Sequence, residues 1–357
     1  MAEPLSGEFP ATPGSCPADR ATSPSECLKP RNTGNPGASE SSETEISHRH
    51  TPERLPILGY LLALAAAVIW GTLGIFAMLI YRYNIDPIVL VTARGVIASS
   101  ALLFVLSLTD RAALRIDFRD IPFFIMFGLV GVTLNYISYF EAIARTSATT
   151  AVILLYTAPI FVTVAASILF KERFTLNKGL ALAVTLAGCF FVAGGYNPGQ
   201  LVANPMGVVA GIVAAVTYGC YTLFSKRSLA KYKSSTTVLY ALVFGALFLS
   251  LISAPRLNQL WGLPGRAWGL VIALALGPTL AAYALYVKAL SHIEAGSASI
   301  VCMAEPAAIA VLAYIILGER MEALQVIGAV AVIVGVLVLQ LQPKAFAEPP
   351  DYRRAQT

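Results

Sequence analysis

From Pro56 onward the chain is laid out in apolar runs near the 20 or so residues that a bilayer-crossing helix needs, divided by short polar or charged breaks. Ten such runs are predicted, over residues 56–80, 87–108, 121–143, 149–170, 178–195, 205–225, 235–254, 267–289, 296–317 and 324–341. The fifth and tenth are the shortest. The chain therefore reads as an all-α integral membrane protein with ten transmembrane helices. Residues 1–54 break the pattern: they are rich in Ser, Pro, Gly, Thr and Glu, hold no apolar run, and read as a disordered cytoplasmic tail without the basic and apolar regions of a secretory signal. Residues 342–357 read as a short cytoplasmic C-terminal tail.

An internal repeat lies inside this pattern. The stretch from Tyr139 to Arg173 realigns without a gap on the one from Tyr286 to Arg320, 147 positions on. Tyr139 falls on Tyr286, Pro159 on Pro306, and Glu172-Arg173 on Glu319-Arg320. The openings of the two halves also correspond, with "AAVIWG" from Ala66 matching "AAVTYG" from Ala214 and Trp70 matching Tyr218. Each half, residues 58–195 and 205–341, then holds five spans. Five is odd, so the second half enters the membrane from the other side, as in transporters built from two inverted repeats around a midplane site.

Composition agrees with the pattern: 57% of the 357 residues are hydrophobic and only 13% are charged. The net charge of +5 is a topology signal, with no basic, aromatic-interleaved segment that would suit nucleic acid. Eleven Lys and Arg residues fall in loops on the side of the termini, against Arg82, Arg145, Arg256, Arg266 and Arg320 opposite. This predicts a multi-pass protein of the cell membrane with both termini cytoplasmic.

The shared opening "AAVIWG" and the late spans "APIFVTVAASILFKERF" and "EPAAIAVLAYIILGERM", each a proline followed by a dozen apolar residues and Glu-Arg, resemble the EamA-type drug/metabolite transporter superfamily over residues 58–341. The resemblance implies efflux of small metabolites such as amino acids, nucleosides or toxic compounds. The expected partners are a small-molecule substrate and membrane lipid.

Several residues stand out against the apolar background. Pro159 and Pro306 cannot donate an amide hydrogen and should bend their helices, freeing the carbonyls of Leu155 and Cys302 either for ligands or simply as packing kinks. Glu305 sits near the middle of a span, where a carboxylate costs about 2.5 to 3.5 kcal/mol. Desolvation favours the neutral form of such a group, which makes Glu305 a candidate proton-coupling residue or acceptor for a substrate ammonium; the alternative is a structural glutamate held by hydroxyls or an arginine. Arg94 is the basic residue well inside a span, and its depth differs from that of Glu305 by only about 6 Å. It is read as a partner of Glu305, a holder of a substrate carboxylate, or a snorkelling side chain. Trp70 with Tyr218, and Tyr139 with Tyr286, are repeat-related aromatic pairs suited to a cavity wall or to the interfacial belt, with Asn135, Tyr136 and Tyr156 nearby. Glu172-Arg173 and Glu319-Arg320 read as helix-end anchors. Small residues at four-residue spacing, Ala183 with Ala187 and Ala331 with Gly335, would admit close helix contact within the bundle or in a homodimer.

Other chemistries lack their residues. There is no GxxxxGK[ST] loop for a primary pump, no HExxH or GxSG, and every aspartate lies in a tail or at a span edge. Cys16, Cys27, Cys189, Cys220 and Cys302 lack metal-ligand spacing and read as free thiols, so no metal or cofactor is expected. A secondary transporter is the leading reading, with a channel or membrane scaffold as the alternative.

Overall fold

The computed structural model describes residues 56–201, 204–317 and 321–340. Both terminal tails, with Cys16 and Cys27, and the Glu319-Arg320 pair lie outside the described residues. Among those residues every element is helical. Eight helical stretches are long and apolar enough to cross a membrane, and two shorter apolar helices, Leu176–Val192 and Ala323–Leu339, occupy the places of the fifth and tenth runs. Large apolar side chains such as Phe104, Leu108, Ile168 and Ile327 point outward, as lipid-facing residues must.

Local chemistry sets where the helices start. The first stretch comprises α1 (Pro56–Gly71) and α2 (Leu73–Tyr81), separated at Thr72, whose hydroxyl bonds back to the Ile69 carbonyl at 2.7 Å. The second, α3 (Pro87–Thr109), has Pro87 in its first turn, and the Asp86 carboxylate accepts from the amide of Ile88 at 2.8 Å. The first stretch of the second half, α9 (Pro205–Ser228), begins in the same way, with Asn204 accepting from Met206 at 3.0 Å ahead of Pro205. These caps satisfy amides that no helical carbonyl can reach.

Two kinds of irregularity recur at the repeat spacing. In the third stretch a π-helical run, Phe127–Leu134, joins α4 (Ile121–Met126) to α5 (Asn135–Arg145). In the eighth a second run, Ala275–Ala281, joins α11 (Gly265–Leu274) to α12 (Ala282–Leu290). Their last residues are 147 apart. In each a threonine hydroxyl bonds to the carbonyl five residues back, Thr133 to Gly128 and Thr279 to Leu274, both at 3.0 Å. The proline positions do more than bend their spans. One span is interrupted at Tyr156–Thr157, between α6 (Ala148–Leu155) and α7 (Ala158–Leu169). The other is interrupted at Met303–Ala304, between α13 (Ala295–Cys302) and α14 (Glu305–Leu317). A proline second in the new helix cannot return a bond to the last residue of the old one, so the two segments part.

The remaining helices are α8 (Leu176–Val192), α10 (Ser234–Ser253) and α15 (Ala323–Gln340). Packing pairs helices from opposite halves of the chain: α8 with α15, α3 with α10, α5 with α9, α1 with α12, and α7 with α13. The tightest approach joins α8 and α15, where a Cβ on Gly188 would stand 2.7 Å from the Gly328 carbonyl oxygen, and one on Gly328 the same distance from that of Gly188. Gly335 lies on this seam against Thr185, as small-residue spacing predicts. Ala183 and Ala187 do not: both are exposed on the other face of α8, because the contact stripe follows Ala181, Thr185 and Gly188 instead.

Candidate functional site

The interruptions converge on one cavity of about 820 Å³. Tyr81, Ala148, Ala193 and Met321, at or next to ends of α2, α6, α8 and α15, bound it near one membrane face, and Trp70, Tyr218, Tyr283 and Glu305 lie at its depth. Of the eleven residues proposed from the sequence as helix breaks, charges or aromatic and polar wall groups, Trp70, Arg94, Asn135, Tyr136, Tyr139, Tyr156, Tyr218, Glu305 and Pro306 line this space. Pro159 is buried outside it, although Tyr156 at the same break lines the cavity. Tyr286 is also turned away: it is buried with its hydroxyl 2.7 Å from that of Thr222 and its ring 5.3 Å from Trp70, so it supports the wall from behind.

Arg94 and Glu305 share the cavity but form no ion pair among the described residues. The Arg94 guanidinium instead donates to the Tyr136 hydroxyl and lies over the Tyr136 ring, 4.9 Å from its centroid. The depth match that allowed a pair with Glu305 carried no information about which way α3 faces. Arg94, on α3, is 4% exposed and lines the cavity. Asn135, at the start of α5, donates to the Ala214 carbonyl of α9 at 2.8 Å and so ties the third stretch to the sixth.

Tyr283 was the larger omission from the candidates, and with it the pairing of Tyr136 and Tyr283. They are 147 positions apart, each follows a π-helical run, and their hydroxyls meet at 3.3 Å between the halves. Tyr283 also stands edge-on to Trp70, with centroids 5.3 Å apart and planes at 77°. The repeat spacing that flagged Tyr139 and Tyr286 flags this pair equally well.

The opposite face is closed by charge. Between α7 and α8 the Glu172 carboxylate accepts from the amides of Ala295 at 2.7 Å and Gly296 at 3.1 Å, the start of α13. Lys178 of α8 reaches the Glu294 carboxylate at 2.7 Å. Nearer the edge of this face, Lys231 pairs with Asp117 at 3.1 Å and Lys233 with Asp110 at 2.6 Å. No group of three metal-ligating side chains occurs among the described residues.

Two stretches of the chain, residues 57–194 and 205–341, each match the EamA-like transporter family. An uncharacterized transporter of Archaeoglobus fulgidus is 25% identical over 76% of this chain and 94% of its own length. The uncharacterized transporter YdfC of Bacillus subtilis is 27% identical over 70% and 80%. A probable terminal-alkyne amino-acid exporter of Streptantibioticus cattleyicolor is 26% identical over 62% and 73%. A chain known from a crystal structure superposes with a TM-score of 0.71 at 18% identity, covering 81% of this chain and 99% of that one, and has the same fold.

Proposed function

Because this chain belongs to the EamA-like transporter family, and is thus a multi-pass membrane transporter and not an enzyme, we propose that it is a secondary exporter of small zwitterionic metabolites, amino acids foremost, working by alternating access. The observation that carries this reading is one cavity holding a cation and a carboxylate that do not neutralise each other, Arg94 and Glu305, within aromatic walls. Arg94 receives the substrate carboxylate; Glu305 receives its ammonium, or a proton in exchange for it. Trp70, Tyr139, Tyr156 and Tyr218 pack the side chain.

The finer architecture belongs to the same proposal: ten spans in two inverted five-helix halves, residues 58–195 and 205–341. The 147-residue spacing of π runs and breaks supports it, as does the packing, since a two-fold axis in the membrane plane would exchange α1–α12 with α5–α9 and map α8–α15 and α3–α10 onto themselves; α7–α13 departs from that symmetry, as its image would be α14–α6. With the termini cytoplasmic, the cavity faces outward. The closed opposite face favours a carrier over a channel or scaffold, because a channel needs a path open at both ends.

Uptake of radiolabelled amino acids into proteoliposomes, with and without an imposed pH gradient, tests the reading. Gradient-stimulated uptake of at least one zwitterion is expected. A protein that passes all small solutes alike, without saturation, would point to a channel.

A further inference from the structure

Two charged side chains are enclosed at the face opposite the cavity, and the proposed substrate chemistry uses neither: Lys178 is 1% exposed and Glu172 is 5% exposed. Glu172 comes from the first half and α13 from the second. Its two oxygens take the amides of Ala295 and Gly296, so one carboxylate from one half caps a helix of the other at the end where the helix dipole is positive. Lys178 Nζ lies 3.8 Å from the same carboxylate, 2.7 Å from Glu294 and 3.3 Å from the Arg173 carbonyl. A Cβ on Gly296 would stand 3.2 Å from the Thr163 hydroxyl and 3.4 Å from the Glu172 carboxylate, so the bare backbone lets both close on the helix start.

A buried ion cluster is a poor way to hold a protein together, because desolvation offsets most of the attraction. It differs from an apolar seam in another respect. Pulled apart in water, the same groups recover their hydration, whereas separated apolar surfaces do not. A contact that must open and reseal in every cycle suits the first kind. The places 147 residues away from this cluster show the contrast. Ala148 and Thr149, which correspond to the capped Ala295 and Gly296, line the open cavity; Ser147 and Gln325 stand where Glu294 and Lys178 would.

The capped helix also leads to the site. All eight residues of α13 are buried, it spans about 12 Å, and three residues beyond its end Glu305 stands in the cavity. We propose that Glu172, with Lys178 and Glu294, is the latch that shuts this face between the two halves, and that α13 transmits its state to Glu305. Glu172 is then a positioning residue acting through α13. The proposal rests on the alternating-access reading.

The test uses the full chain with Cys16, Cys27, Cys189, Cys220 and Cys302 replaced by alanine, carrying a single cysteine either at Thr149 on the cavity wall or at Ser297 on α13. An impermeant maleimide is applied to each face of oriented proteoliposomes. With Glu172 in place, Thr149→Cys labels from the cavity side and Ser297→Cys, 2% exposed in the native chain, labels from neither. Glu172→Ala is expected to raise Ser297→Cys labelling from the latch side by at least about fivefold, the low end of an ordinary coupling between sites, and to lower that of Thr149→Cys. Glu172→Gln, which keeps the size and one acceptor, should shift both in the same directions by less and provides the measurement if the alanine variant does not fold. Unchanged labelling at both positions, or a rise at both alike, would overturn the latch, since a merely structural glutamate loosens the protein without this reciprocal exchange. If Thr149→Cys labels from neither face, the cavity itself is no pathway; if it labels while both Glu172 variants leave Ser297→Cys closed, the latch alone falls.

Discussion

Glu305 and Arg94 stand in one cavity with different attachments, and removing each charge should have a different result. Glu305→Gln keeps the size and hydrogen-bonding capacity. It should insert and melt as the native protein does, because no ion pair depends on it, while gradient-driven transport falls by tenfold or more; assays of both properties at pH 5 to 8 check this. A well-folded variant with native transport and pH dependence would leave Glu305 without a role. Arg94→Lys keeps a charge but loses the planar group over Tyr136, so KM should rise by about tenfold with maximal rate less affected, as for other stacked or forked arginines. At this scale the sequence was informative about identity and silent about direction. A carboxylate beside a proline in mid-span was visible, and so were repeat-related tyrosines. Which of them faced inward depends on helix rotation, which the irregular turns before Tyr136 and Tyr283 reset. Tyr286, three residues past Tyr283, consequently points to Thr222 and not to the cavity.

The helices themselves were legible because lipid demands long apolar runs, and all ten predicted runs correspond to apolar helical stretches. The breaks were partly legible. Proline announced the interruptions before α7 and α14, though not that each helix would stop and restart, and nothing in Phe127–Leu134 announces bonds to the fifth residue back. Close packing was misplaced on α8, where alternative small-residue stripes run one helical face apart. That seam gives a sharp expectation. Gly328→Val forces side-chain atoms into the backbone of α8 at a site with 2.7 Å of room and should cost about 1 to 3 kcal/mol. Ala187→Val, on the exposed face, should leave stability unchanged. Thermal melting in detergent compares the two, and equal effects would contradict the α8–α15 seam.

For the whole molecule, the odd number of runs per half was the step from sequence to the proposed inversion, and the cavity was out of reach because it forms between segments far apart in the chain. Orientation can be tested directly. An impermeant maleimide on intact cells should label Asn197→Cys and spare Lys231→Cys until the membrane is permeabilised; labelling of Lys231→Cys in intact cells would reverse the assignment. The face carrying Lys231 also has a pH signature. Hydrogen bonds from Lys233 to Asp110 and from Lys231 to Asp117 lower both carboxyls below the ordinary aspartate range. Their contribution to stability is therefore present above that range and fades as pH falls through the lowered values, so a melting temperature followed downward should begin to lose it only in acid, with Asp110→Asn losing it at neutral pH as well. The two tyrosine hydroxyls that meet between the halves have a consequence of another kind. If the halves exchange roles by inversion, a point on their axis stays where it is, and the Tyr136–Tyr283 contact is the fulcrum of the rocking, persisting while the walls on either side trade places. Perfect inversion would also leave the two end states equal in energy. Arg94 leans on Tyr136 only, with Ala241 and Leu242 at the matching places of the other half, and in the proposed cycle that imbalance would give the balance a preferred side on which to rest.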